Sequence, residues 1–353
     1  MNIIGKLFYN KPIKALFYLK GFARYYTPKW ILEKKLRRKL SKIKNRPDYA
    51  YIQYRVDYYN KLSQPQATPA AFDSLKLHSY KSSKSAAYFF DTNQYTRWFS
   101  NTRRWKFLPG DIVEVPSIPS IVKSRPIKGD NQNAVLLKLN KIRHFVFLKD
   151  RIPFSQKKDK AIFRLTVSKK PGRIAFMEKF YNAPICEAGV LAENDPSIPK
   201  EWIRPKISLY DHLEYKFIVA LEGIDVATNL KWIMSTNSIA VMPRPSYETW
   251  FMEGTLIPDY HYIEIKSDYS DLEEKLLYYI DHQEEAAQII QNAHDYIEQF
   301  KDKKREDLIS LMVLDKYFKN TGQTAVATKM IEEDVDDLPS GQGSSYIQPS
   351  MSH

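Results

Sequence analysis

The sequence predicts an α/β chain organised on a parallel sheet with helices on its faces. Strand-like and helix-like segments alternate between residues 160 and about 320, the order that a parallel sheet with crossover helices produces. The strand candidates there, "AIFRLTV", "SIAVMP" and "YHYIEI", are short apolar runs of the kind such a sheet buries. A length of 353 residues with 43% hydrophobic content is enough to bury the cores of two domains.

Residues 1–65 read as a basic N-terminal arm. Within it, "TPKWILEKKLRRKLSKIKNRP" predicts a helix capped by Thr27, with Pro28 at the first position, where no N–H is needed. Leu32, Leu36, Leu40 and Ile43 repeat at helical spacing, ringed by Lys34, Lys35, Arg37, Arg38, Lys39 and Lys42. The polar stretch "SQPQATPAAFDS" then leads into residues 66–155, the first expected domain, with strand candidates "AAYFFD", "DIVEVP", "AVLLKL" and "HFVFLKD". Residues 156–320 are the second. They add a helix candidate, "HLEYKFIVAL", and a long helical run from Asp271 to Phe300. Ser270 with Glu273 predicts a capping box for that run, and Asp281 with Glu284 restarts it. Residues 321–353 carry few large apolar side chains and are expected to be disordered.

The formal net charge of +13 suggests a nucleic-acid binder until it is located. Residues 1–50 hold 14 Lys and Arg against Glu33 and Asp48 alone, so the remainder of the chain is close to neutral. A basic amphipathic helix preceded by "KLFYNKPIKALFYLKGFARYY" suits an anionic membrane surface; packing on the body or contact with nucleic acid are the other readings. No run of eighteen apolar residues occurs, so nothing is expected to span a bilayer, and lysines interrupt the N-terminus too often for a secretion signal. Cys186 is the only cysteine, which excludes an intrachain disulfide and favours a reducing, cytoplasmic setting.

In open α/β sheets ligands bind beyond the carboxyl ends of the strands. That rule singles out "LEGIDVATN" and the loops after "SIAVMP" and "YHYIEI". Gly223 permits a close backbone approach, and Thr228 and Asn229 can cap a following helix whose free N–H groups would face a diphosphate. A plain helix cap accounts for the same pattern.

The ordered set "SLYDHLEYKFIVALEG", "LKWIMSTNSIAVM", "YETWF", "LIPDYHYIEIKSDYSDLEEKL" and "EEAAQIIQNAHDYI" resembles the C-terminal half of the family 90 glycosyltransferases, over roughly residues 160 to 300. "VPSIPSIVKSRPI" and "NKIRHFVFLKD" are similar to the bacterial branch of that family. The resemblance implies two Rossmann-like domains facing a cleft (the B-type glycosyltransferase fold). It also implies inverting transfer from a UDP-sugar without a cofactor or a divalent metal. The acceptor it suggests is a lipid-linked saccharide such as a lipopolysaccharide core, met at the inner face of the cytoplasmic membrane. The one Asp-x-Asp pattern, Asp334 and Asp336, lies in the polar tail and reads as solvated charge.

Residue by residue, "FRLTVSKKPGR" resembles the family's nucleotide-contacting segment, so Arg164, Thr166 and Arg173 carry over as donor contacts, with Leu165 where many relatives have glycine. The loop Gly223, Ile224, Asp225, Val226, Ala227, Thr228 and Asn229 carries over beneath the diphosphate. Asn229 replaces an arginine of many relatives, so Lys231, Lys123 or Arg125 is expected to supply the missing cation. Glu248 is expected to hold the ribose hydroxyls. For the catalytic base, which must take the acceptor hydroxyl proton, Asp91 of "YFFDTNQY" matches in order, and Asp111 of "LPGDIVEVP" is the alternative. A nucleic-acid-binding protein and an inactive transferase-like scaffold are the competing classes.

Overall fold

The computed structural model describes residues 14–63, 75–76, 86–192 and 195–323. The polar linker, the tail from residue 324 and the Asp334–Asp336 pair lie outside them.

Helix α1 (Lys14–Tyr25) crosses α4 (Ala86–Thr96) closely: a Cβ on Gly21 would lie 2.5 Å from the Phe90 ring, so glycine is what lets the two helices approach. Helix α2 (Lys29–Ser41) starts one residue later than expected. Pro28 sits at the cap position, and the Thr27 hydroxyl donates back to the Ala23 carbonyl. The stripe Leu32, Leu36, Leu40 and Ile43 is buried, and Leu36, Leu40 and Ile43 share one core with Ile52 and Val56 of α3 (Tyr49–Tyr59). The expected membrane face of α2 is therefore spent on the protein body.

Strands of the N-terminal half pair in short ladders among the described residues. Strand β1 (Leu75–Lys76) pairs antiparallel with β2 (Arg104–Trp105), and β3 (Ser120–Val122) runs parallel to β5 (Ala134–Leu136). The segment "AAYFFD", expected as a strand, opens α4: Tyr88, Phe90, Asp91, Gln94 and Tyr95 are all buried, which surrounds the helix with protein and erases any periodic signal. "DIVEVP" and "HFVFLKD" form no strand; the latter follows the short helix α5 (Lys141–His144).

The C-terminal half is the parallel sheet the sequence predicts. Its strands are β6 (Lys158–Leu165), β7 (Cys186–Val190), β8 (Tyr215–Val219), β9 (Ile239–Met242) and β11 (Ile263–Glu264), in the order β11–β9–β8–β6–β7, all parallel. Alternation divides them between two cores. Phe163, Phe217, Val219 and Val241 face the helices α6 (Pro171–Phe180), α9 (Leu272–Asp281) and α10 (Gln283–Glu298). Ile162, Ile218, Ala240 and Met242 face the N-terminal half. "HLEYKFIVAL" is not one helix: Ser208 and Asp211 form a reciprocal capping box over the short α7 (Leu209–His212), and the apolar run becomes β8. An uninterrupted apolar run does not distinguish a buried strand from a buried helix.

The run Asp271–Phe300 breaks at His282. Neither predicted cap holds its helix end: Asp271 takes the cap position, with its carboxylate accepting from Lys266 N at 2.8 Å, and Asp281 is the last residue of α9. Helix α11 (Lys303–Asn320), whose Asp302 accepts from the N–H groups of Lys304 and Arg305, returns to pack on α3 and α4. It binds the two halves through Glu306, which takes Arg55 at 3.0 Å and Lys138 and the Trp250 indole at 2.7 Å.

Candidate active site

Loops at the carboxyl ends of β6, β8, β9 and β11 enclose a pocket of about 260 Å³, lined among others by Gly172, Gly223, Val226, Ala227, Ser246 and Tyr269. The N-terminus of α6 opens beside it: Pro171 occupies the first turn, where its missing N–H costs nothing, and Gly172 lies in the pocket wall. Arg173 draws the loops together. Its guanidinium donates to the carbonyls of Thr166 (2.9 Å), Leu221 (2.8 Å) and Glu222 (3.0 Å), fastening the end of β6 to the loop after β8. Gly223 passes over it so closely that a Cβ would stand 3.2 Å from Nη2.

Glu222, which sequence reasoning passed over, holds the opposite wall. Its Oε1 accepts from the backbone N–H groups of Ser246 (2.9 Å) and Tyr247 (3.1 Å), and burial pushes its carboxyl above the ordinary range. A carboxylate directly before the loop glycine was the available signal. Ile224 is exposed, Val226 and Ala227 are buried in the lining, and Thr228 is half-buried. Asn229 sits at the cap position of the helical turn α8 (Leu230–Ile233) but donates sideways to the Val219 carbonyl at 3.0 Å, leaving its buried Oδ1 without a hydrogen-bond partner.

Next to this loop is a charged cluster. Lys123 is buried between Asp111 and Asp225, at 2.6 Å from the latter, and Tyr88 shares their field. Burial raises the Asp225 carboxyl, while Lys123 opposes the rise. For Lys123 itself burial acts downward, but Asp225 and Asp111 outweigh it and its pKa ends above the ordinary lysine value. The side chain of Asp111 is 35% exposed and that of Asp225 only 5%, so Asp111 is the carboxylate of the cluster an outside hydroxyl can reach. His144 is buried nearby with Nδ1 unpartnered; burial first, then Lys231 and Lys123, keep it neutral by holding its pKa well below the ordinary value.

Four of the expected residues are engaged elsewhere in this geometry. Asp91 lies inside α4, fully buried, its Oδ2 accepting from Lys141 N at 2.9 Å and its Oδ1 at 3.1 Å from Lys141 Nζ, so no acceptor can approach it. Glu248 is 1% exposed: Arg125 Nε donates to one oxygen at 2.8 Å and the Tyr58 hydroxyl to the other, so no ribose reaches it. Arg125 spends its remaining donors on the carbonyls of Tyr58, Tyr59 and Ala134. Lys231 is fully buried in a 2.6 Å ion pair with Glu253, which also accepts from Thr249, and is not a free diphosphate cation. Arg164 is buried and is not among the residues lining the pocket. It reaches Glu187 only at 3.4 Å, and its buried Nε and Nη1 have no hydrogen-bond partner.

Among the described residues no group of three or more His, Cys, Asp or Glu side chains is placed to hold a metal ion. No described helix is long and apolar enough to cross a membrane.

The sequence model of glycosyl transferase family 90 matches residues 137–329, which span the pocket, the Lys231–Glu253 pair and the whole parallel sheet. The O-glucosyltransferase LpsA of Dichelobacter nodosus is 38% identical over 307 residues, covering 86% of this chain and 95% of that protein. Protein O-glucosyltransferase 2 of Danio rerio is 36% identical over 83 residues, 24% of this chain and 16% of that protein. A family match over more than half of the chain, with a relative aligned along nearly its full length, establishes that the chain is a glycosyltransferase and belongs to glycosyltransferase family 90.

Proposed function

We propose that the chain is an inverting, metal-independent glucosyltransferase that moves glucose from a UDP-sugar to a hydroxyl of a lipopolysaccharide-core or related surface saccharide. The observation that carries this reading is the Asp111–Lys123–Asp225 cluster, which puts one reachable carboxylate beside the loop that follows β8. Glucose is favoured by the similarity to an O-glucosyltransferase along 86% of the chain.

In this reading the donor lies in the pocket of a two-lobed, B-type enzyme, its diphosphate over Gly223–Asn229 and against the N-terminus of α6. Asp111 accepts the acceptor hydroxyl proton as that oxygen attacks the anomeric carbon, and the bond from that carbon to the diphosphate breaks on the opposite face, releasing UDP. Lys123 keeps the Asp111 carboxylate in place. The charge developing on the departing diphosphate is taken by the α6 dipole and by the guanidinium of Arg173 beneath the loop. Neutralisation by these fixed groups is why no divalent metal is called for.

A donor screen by thermal shift tests this directly, with UDP, UDP-glucose, UDP-galactose, UDP-N-acetylglucosamine and GDP-mannose, each in EDTA and in manganese. A ligand at a hundred times its Kd adds about 2.7 kcal/mol of stability. The expected result is a rise in melting temperature with UDP and UDP-glucose that survives EDTA. A shift that needs manganese rejects the metal-free mechanism, and no nucleotide response at all rejects the donor pocket.

The same reading places the enzyme on an anionic membrane surface, through a different face from the one periodicity suggested. Leu16, Leu19 and Phe22 of α1, with Tyr26 and Trp30 beyond it, are 43 to 78% exposed. On α2, Trp30 shares its outer face with Lys34 and Arg38 at helical spacing, while Lys35, Lys39 and Lys42 are also exposed and Arg37 is half-buried. Aromatic and aliphatic side chains bordered by lysine and arginine fit the headgroup boundary of an anionic bilayer. Leu19→Glu with Phe22→Glu should abolish co-sedimentation with phosphatidylglycerol vesicles and leave the UDP-induced thermal shift unchanged. Unaltered sedimentation would reject this face.

A further inference from the structure

A second cavity, of about 390 Å³, lies apart from the donor pocket, between α1, α4, the segment 138–147 and the start of α11. Six cations line it: Lys20, Arg24, Lys138, Lys141, Lys301 and Lys303. The carboxylates in its wall, Glu306 and Asp307, are already engaged. Glu306 is held by Arg55, Lys138 and Trp250, and Asp307 by Gln94, Tyr95 and Lys303. Asp91, behind Lys141, is buried and paired. Four of the cations are themselves paired, Lys138 with Glu306, Lys141 with Asp91, Lys301 with Glu298 and Lys303 with Asp307, which leaves Lys20 and Arg24 as the lining cations outside these pairs. The groove keeps a positive balance at that edge, and its volume is in the range of small-ligand sites.

Its walls also carry flat apolar rings. Lys138 Nζ sits 4.5 Å from the centre of the Phe145 ring and Lys141 Nζ 4.9 Å from that of Tyr95, and Phe147 completes the lining. Tyr95 is buried and both lysines stand over ring faces, so the half-buried Phe145 and Phe147 are the apolar surface left for the carbon face of a sugar, with Lys20 and Arg24 to meet an anionic substituent.

Position connects this groove to both neighbouring surfaces. Phe17, Lys20 and Arg24 form one stripe of α1 facing the groove, while Leu16 and Leu19 of the same helix are exposed and the half-exposed Phe22 rests its ring edge-on against Phe90. At the other end, α4 carries Tyr88 beside the Asp111–Lys123–Asp225 cluster and Gln94 and Tyr95 in the groove. Those positions are seven residues apart, about 10 Å along a helix. His144, next in sequence to the groove residue Phe145, is within the field of Lys123.

We propose that this groove binds the anionic part of the acceptor, a phosphate- or carboxylate-bearing sugar, and holds it while a neighbouring sugar hydroxyl reaches Asp111. The proposal rests on the acceptor reading given above and names the substrate class that the acceptor side selects.

The test uses the full chain and isothermal titration with four probes: a glucosamine disaccharide bisphosphate, the same disaccharide without phosphate, inorganic phosphate, and phosphatidylglycerol vesicles as competitor. The disaccharide bisphosphate should bind about tenfold or more tightly than its phosphate-free form, and Lys20→Glu with Lys301→Glu should remove about that factor. The double variant should keep the full UDP-induced thermal shift, which shows that it is folded and that its donor pocket is intact. Equal affinity for the two disaccharides, or binding unchanged in the variant, overturns the proposal. Inorganic phosphate binding as tightly as the disaccharide bisphosphate also overturns it, by leaving no role for the sugar. Displacement of the disaccharide by vesicles reassigns the groove to bilayer headgroups and overturns it as well. Loss of the UDP response in the native chain would reject the donor reading and leave this measurement interpretable.

Discussion

Asp111→Asn is expected to lower kcat/KM by about a hundred- to ten-thousand-fold, the range a positioned general base contributes. Asparagine keeps the size of the side chain and can still contact Lys123, but it cannot take the proton. The melting temperature and the UDP-induced shift should therefore stay near those of the native chain, since a partly exposed ion pair contributes little to stability. Asp91→Asn provides the contrast. Asp91 is enclosed in α4 and bonded to Lys141, so its replacement should change stability and leave turnover of the folded protein within a few-fold. Initial rates of UDP release with a saccharide acceptor decide the matter. If Asp91→Asn is the inactive variant and Asp111→Asn turns over normally, the placement of the base is wrong.

The largest effect on stability is expected at Glu306. Its two oxygens serve Arg55, Lys138 and the Trp250 indole, and it is 2% exposed. Glu306→Gln keeps the volume while leaving two cations facing a neutral amide in a dry interior. Removing one partner of a buried ion pair costs about 3–5 kcal/mol, because the charge left behind has lost both water and its counter-ion. The stacking of Tyr59 on Trp250, with ring centres 3.8 Å apart, depends on the same geometry. Urea unfolding should show a lower midpoint with an unchanged slope. The exposed pair Lys301–Glu298 supplies the comparison, and Glu298→Gln should cost under about 1 kcal/mol. A Glu306→Gln loss no larger than that would mean the network contributes nothing beyond ordinary surface charge.

The C-terminal half was legible because its strands are buried on both faces. "SIAVMP" has no alternation to misread, and the loop after "LEG" could be placed by the strand-end rule alone. The failures have a common cause. Periodicity reports that one side of a helix is apolar and is silent on what covers it, so the Leu32–Ile43 stripe read as a membrane face while Leu36, Leu40 and Ile43 of it pack with α3. Tyr88 to Tyr95 is buried nearly all round, and a helix without a wet face leaves no period to detect. Asp111 and Asp225 were both expected at the site, but their partnership through Lys123 joins positions up to 114 apart in the chain and has no local trace. Glu248 and Lys231 were assigned to the ligand because a lone carboxylate or lysine beside a loop looks available. Their counter-ions, Arg125 and Glu253, are recognised as such only in three dimensions.

One short ladder has a mechanical consequence. Strand β4 (Ser124–Pro126) begins at the residue after Lys123, and β10 (Tyr247–Thr249) begins at the residue after the pocket residue Ser246; the two pair antiparallel over three positions, with Arg125 and Glu248 locked across them. The pocket wall and Lys123, which the proposed mechanism makes the donor site and the partner of the base, are thus joined through one ladder. A hinge that opened the cleft for each round of substrate would have to tear this seam or carry Lys123 along with the pocket wall. Under the proposed reading, product release would then fall to the exposed tip at Ile224 and to the α6 entrance, a fixed jaw with a small gate.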